Sequence, residues 1–185
     1  MSIDVARPAR ARRLVWQAPI ALALVALAVV AVGGRPELAS FAYLALVSAE
    51  LGRVDLAEHR LPNALVVPGL AVALIGTLFG WWRTGEPPVT AALCALGTGA
   101  VFLVMHVAGG LGMGDVKLGV LLGACLGALG PLAALVAPFV AFLAAGAGAL
   151  VALATGAGSG ERMPFGPFLL FGFWSAVLMY VCGVL

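Results

Sequence analysis

The sequence predicts an all-α polytopic membrane protein with about seven transmembrane helices, and three observations predict it. Hydrophobic residues fill 63% of the 185 positions and charged residues only 10%, and the mean hydropathy is +1.14. Soluble domains are only about half apolar. The apolar residues gather into runs close to the roughly 20 residues that a helix needs to cross a hydrocarbon core of about 30 Å. The runs are also unbroken, whereas barrel strands alternate over about 10 residues, so helices remain.

In chain order the runs are Leu14–Val32, Leu38–Val54, Ala64–Trp82, Val89–Val107, Val116–Leu129, Leu132–Ala154 and Phe168–Leu185. Gly, Pro or charged residues separate them, as helix-ending punctuation should. The first follows a basic segment but exceeds the apolar stretch of a signal peptide, so it reads as a span. The fifth is short and the sixth contains Pro138, which puts their boundary near Gly130-Pro131. Trp81 and Trp82 end the third run as aromatic residues at a membrane surface do.

Basic residues are retained on the cytoplasmic side of short loops. With the N-terminus inside, Arg7, Arg10, Arg12, Arg13, Arg53, Arg60, Lys117 and Arg162 are cytoplasmic, and only Arg35 and Arg83 are outside. The formal charge of +2 comes from the basic N-terminus. It suits anionic headgroups and carries no nucleic-acid footprint. Cys94, Cys125 and Cys182 are scattered without a CxxC pair, and His59 and His106 stand alone, so no metal site and no cofactor are expected.

Asp occurs at positions 4, 55 and 115, and Asp4 lies in the N-terminal tail. Asp55 follows the second run and Asp115 precedes the fifth, which brings both to one side of the membrane although 60 positions separate them. Asp115 alone would read as a helix N-cap. Asp55, at a helix C-terminus, faces the negative end of the helix dipole and gains nothing as a cap. Four glycines, at 109, 110, 112 and 114, precede Asp115, and backbone that unwinds inside a membrane is tolerated where it is buried in protein or lines a wet cavity. Gly119, Gly123 and Gly127 repeat every four residues and read as a packing stripe. Two carboxylates at close range share one proton; the ionised one activates water and the protonated one donates to a carbonyl, which is peptide hydrolysis without a metal.

Three stretches resemble the type IV prepilin peptidases, membrane proteases of the GxGD class. They are Asp55-Leu-Ala-Glu-His-Arg-Leu-Pro-Asn63, Gly112-Met-Gly-Asp115 with Val116-Lys117-Leu118, and Arg162-Met-Pro-Phe-Gly-Pro-Phe168. The resemblance implies that Asp55 and Asp115 are catalytic. It also implies an active-site surround that includes Pro62, Asn63, Gly112, Gly114, Lys117, Pro164 and Gly166. Residues 1–36 then form a basic tail and an extra helix, and residues 37–185 a six-helix peptidase core. The implied substrates are prepilins or pseudopilins, cut at the cytoplasmic face of a prokaryotic inner membrane. The paired cysteines of larger members are missing, so methyl transfer is not expected.

Glu50 lies one turn before Arg53 and is expected to pair with it. His106 stands where it could modulate the acids, and Lys117 where it could anchor the interface or bias Asp115 towards its charged form. The rival function is a small proton- or cation-coupled transporter using Asp55 and Asp115. Such sites sit near the bilayer midplane, often in repeated halves, whereas these acids fall at one interface and no internal repeat is evident.

Overall fold

The computed structural model describes residues 7–155 and 164–185, with side chains from residue 17 onward. Asp4, Arg162 and Met163 lie outside the described residues, and the arginines at 7, 10, 12 and 13 are described by their backbone alone. Among the described residues there are seven helices: α1 (Arg7–Val32), α2 (Leu38–Glu58), α3 (Asn63–Thr84), α4 (Val89–Val107), α5 (Met113–Gly127), α6 (Pro131–Ala154) and α7 (Gly166–Val181). Each overlaps one predicted apolar run, and α5 ends two residues short of Leu129. α1 begins earlier, inside the basic segment, and α7 stops short of Leu185.

The chain is all-α because lipid offers backbone groups no partner, and a helix satisfies them within one segment. α3, α4 and α6 are long and apolar enough to cross a membrane outright. α5, with 15 residues, rises only about 22 Å at about 1.5 Å per residue, less than a full hydrocarbon core. It tolerates this because α3, α4, α6 and α7 surround it. Protein, more than lipid, faces its sides, and ten of its residues are buried.

Successive helices run up and down, so their turns sort into two ends. Arg35, Glu86 and Ala128, from the α1–α2, α3–α4 and α5–α6 turns, line one cavity. His59, Gly110 and Pro164, from or beside the other three turns, line another. At the first end the Arg35 guanidinium donates to the carbonyls of Val32 (3.0 Å) and Ala128 (3.2 Å), tying the C-termini of α1 and α5 together. This favours both helix dipoles. The predicted α5–α6 boundary holds: Gly130 turns the chain at φ 147° and Pro131 opens α6, which continues through Pro138.

The glycine stripe sets the spacing of α4 and α5. A Cβ at Gly123 would lie 2.7 Å from the Cys94 carbonyl oxygen, and one at Gly127 would lie 2.7 Å from the Ala91 Cα. The Thr98 hydroxyl crosses the same seam to the Gly119 carbonyl at 3.1 Å. α2 is fixed to α7 by the Trp174 Nε1–H, which donates to Ser48 Oγ at 3.0 Å, and by Phe41 against Phe173, with centroids 5.5 Å apart. These seams fix the heights at which α2, α5 and α7 end.

Overpacking the α4–α5 seam should therefore destabilise the bundle. We expect Gly123→Leu to cost about 1–3 kcal/mol in reversible unfolding from detergent micelles. Gly97→Ala, where an added Cβ meets nothing within 4 Å, should be neutral or stabilising by up to about 1 kcal/mol.

Candidate active site

The site is assembled from helix ends. α2 continues one turn past Asp55 and closes at His59, whose left-handed backbone (φ 50°) aims its N–H at the Asp55 carbonyl, 2.8 Å away. Few non-glycine residues adopt that conformation. α4 ends in a Schellman turn: Gly109 takes φ 84°, its N–H returns to the His106 carbonyl (2.9 Å), and the Gly110 N–H returns to that of Met105 (2.9 Å). The glycine-rich segment is thus an ordered reversal, and α5 starts immediately after it with Gly112 as N-cap. Asp115 is consequently not the cap residue; it occupies the third helical position, and its Oδ2 accepts the Gly112 N–H at 3.0 Å. That is half of a capping box, and it places a carboxylate at the positive end of the α5 dipole.

α7 supplies the corresponding bond for the other acid. The Gly166 N–H donates to Asp55 Oδ2 at 2.8 Å. Side chains are excluded there, because a Cβ on Gly166 would stand 2.8 Å from that same oxygen and 3.1 Å from Leu61 Cδ2. Leu61 also lies against Gly114, whose added Cβ would meet the Leu61 Cβ at 2.9 Å. Leu61 therefore packs against both the backbone beside Asp115 and the α7 backbone that donates to Asp55.

Asp55 and Asp115 face one cavity of about 680 Å³, within the size range of ligand sites, about 300–1,000 Å³. Both residues are buried, at 4% and 9% exposure. Both lie beyond the apolar runs Leu38–Val54 and Val116–Leu129. Burial pushes the Asp55 carboxyl above its ordinary range, opposed by the Gly166 N–H and by His59. Burial pushes Asp115 up to about 6, opposed by the Gly112 N–H and reinforced by the negative charge of Asp55. Asp115 Oδ1 is buried and has no hydrogen-bond partner among the described residues.

Of the residues expected around the acids, Gly112 and Pro164 line the cavity. Gly166 holds Asp55, and Gly114 packs on Leu61. Pro62, Asn63 and Lys117 stand beside the cavity instead. Pro62 precedes α3 as its N-cap, and Lys117 Nζ donates to Asn63 Oδ1 at 3.0 Å, a link between α5 and α3. Glu50 pairs with Arg53 as expected and also accepts from Gln17 Nε2 at 3.2 Å. Sequence reasoning gave Leu61, within the first of the three stretches, no role of its own and missed the α6 wall of Phe142, Ala145, Gly146 and Ala149. The wall residues do recur at helical spacing, but among so many apolar residues that spacing carries no contrast.

The sequence pattern of the type IV leader peptidase family matches residues 40–184. A protein named prepilin leader peptidase/N-methyltransferase from Pseudomonas putida is 36% identical over 140 residues, which cover 69% of this chain and 45% of that protein. One of the same name from Dichelobacter nodosus is 35% identical over 127 residues, covering 66% and 42% respectively. The chain spans less than half the length of these curated relatives. No solved structure matches it. With the family pattern running from α2 through α7 and over both buried aspartates, the chain belongs to the type IV leader peptidase family.

Proposed function

We propose that this membrane protein is an aspartic endopeptidase that cuts the leader from type IV prepilins or pilin-like proteins, with Asp55 and Asp115 as its catalytic pair and residues 37–185 as its catalytic core. The observation that carries the reading is the convergence of the two buried acids, from the ends of α2 and α5, on one cavity.

Two carboxyls under such burial hold a proton between them and titrate as a pair. The ionised carboxylate takes a proton from a water molecule as its oxygen attacks the scissile carbonyl carbon, and the protonated carboxyl gives its proton to the carbonyl oxygen. The resulting tetrahedral diol collapses as the C–N bond breaks, the leaving amine takes up a proton, and the pair returns to one proton. The unpartnered Asp115 Oδ1 is the oxygen free to accept from the water or the diol. The Gly112 and Gly166 N–H groups each occupy the other oxygen of their carboxylate, which orients the pair.

The proposed substrate is a peptide in which a basic leader precedes a long apolar helix. The excess of Arg and Lys that the sequence assigns to the side of the two acids supports a multi-pass orientation in a prokaryotic inner membrane with the N-terminus and the active site cytoplasmic. There the leader would leave the apolar segment at the depth of the acids. Both acids belong to one end of the bundle, which favours hydrolysis over a transport path through its middle.

Full-length protein in detergent, given a peptide with a basic leader and an apolar segment, should release the leader. Asp55→Asn and Asp115→Asn should each lower cleavage by about 10²–10⁴-fold, the range for loss of a general acid or base. Wild-type rates in either variant would end the proposal. The pH dependence has a defined sign: an acid raised to about 6 is protonated below that pH and ionised above it. A carboxylic C=O infrared band should therefore persist above the ordinary aspartate range of about 4, fade near pH 6, and weaken in Asp115→Asn, where the raised carboxyl of Asp55 alone remains.

A further inference from the structure

His106 lies in the last turn of α4 and lines the cavity that holds both acids. Its Nδ1 is 2.8 Å from the Leu111 carbonyl oxygen. A carbonyl oxygen only accepts, so Nδ1 bears the proton in this contact and the neutral ring keeps Nε2 as its basic nitrogen. The Leu111 carbonyl and the Gly112 N–H are two ends of one planar peptide group. That N–H is the one that donates to Asp115 Oδ2, at 3.0 Å. A single amide plane is thus held by imidazole at its oxygen and by carboxylate at its nitrogen.

Hydrogen bonds arranged in series polarise one another. A donor on the carbonyl draws electron density to that oxygen and makes the attached N–H a stronger donor to the carboxylate. The contact also extends the grip of α4. The Schellman bonds stop at Gly110, and the imidazole carries the hold on to Leu111, the residue before the α5 N-cap.

We infer that His106 is a positioning residue for Asp115: through the peptide group between Leu111 and Gly112 it fixes the turn and strengthens the N–H bond that orients the carboxylate. The inference rests on the acid-pair peptidase reading and adds a residue to it. Among the described residues, the titratable groups that share the cavity with His106 are Asp55, His59 and Asp115, and α6 brings none to it. The effect travels through the one peptide group between Leu111 and Gly112.

The test compares full-length wild type, His106→Phe and His106→Asn in detergent, with a synthetic basic-leader peptide as substrate and infrared titration of the Asp115 carboxyl as second readout. His106→Phe keeps the ring and loses the donor. It should lower kcat about fivefold to tenfold, the effect of one lost hydrogen bond, with KM little changed and the Asp115 ionisation moved to higher pH. His106→Asn, whose amide can donate from the position of Nδ1, should recover part of both. A kcat within about twofold of wild type in His106→Phe, with the ionisation unmoved, overturns the inference. So does an equal loss in both variants with the ionisation unmoved, which marks a merely structural role. Asp55→Asn and Asp115→Asn run alongside: if they cleave at the wild-type rate, the acid-pair reading falls and takes the relay with it, whereas failure of the relay alone leaves their loss intact.

Discussion

Two buried carboxylates, each held among the described residues by one glycine N–H, are the constraint on which the arrangement depends. Removing a carboxylate from water is costly unless hydrogen bonds or a shared proton compensate. Here the compensation comes from backbone: Gly112 for Asp115, Gly166 for Asp55. Backbone donors are fixed by the fold, so the acids keep their orientation only while the starts of α5 and α7 keep their places. One donor for each acid also leaves part of the burial cost standing, and that remainder raises both carboxyls. A fully satisfied pair would stay ionised and could not act as acid and base together.

The supporting structure serves that placement. The stripe of Gly119, Gly123 and Gly127 lets α4 lie against α5, and the Schellman turn at Gly109 delivers the chain directly to the Gly112 cap. On the other side, Trp174 bound to Ser48 and Phe41 against Phe173 register α7 on α2, which brings the Gly166 N–H to Asp55. Leu61 fills the space between Gly114 and Gly166. A larger residue at either glycine would press on the same leucine, so the segments of Gly114 and Gly166 are coupled by steric contact.

Much of the fold was legible in the sequence, because a bilayer imposes long apolar runs and punctuates them visibly. All seven helices were foreseen, as was the turn at Gly130-Pro131. The meeting of Asp55 and Asp115 followed from strict alternation of helix direction, which needs no knowledge of packing. Detail inside the bundle was less legible. α5 is enclosed while α3 and α4 are largely exposed, yet all three are almost uniformly apolar, so no polarity contrast separates an inward face from an outward one. For the same reason the α6 wall gave no signal. Lys117 illustrates another limit: two positions after Asp115 it looks like a partner for that acid, but helical geometry turns it aside to Asn63.

The central claim is that Asp55 and Asp115 act as one electrostatic unit despite their separation in sequence. Infrared titration of the Asp115 carboxyl in Asp55→Asn tests it most directly, because the substitution removes a negative charge while keeping size and polarity. The account predicts that the Asp115 ionisation falls from about 6 towards the ordinary aspartate range, since the charge of Asp55 contributes to the rise. An ionisation that stays where it is in the wild type would mean that the two carboxyls do not sense each other, and would contradict a catalytic pair.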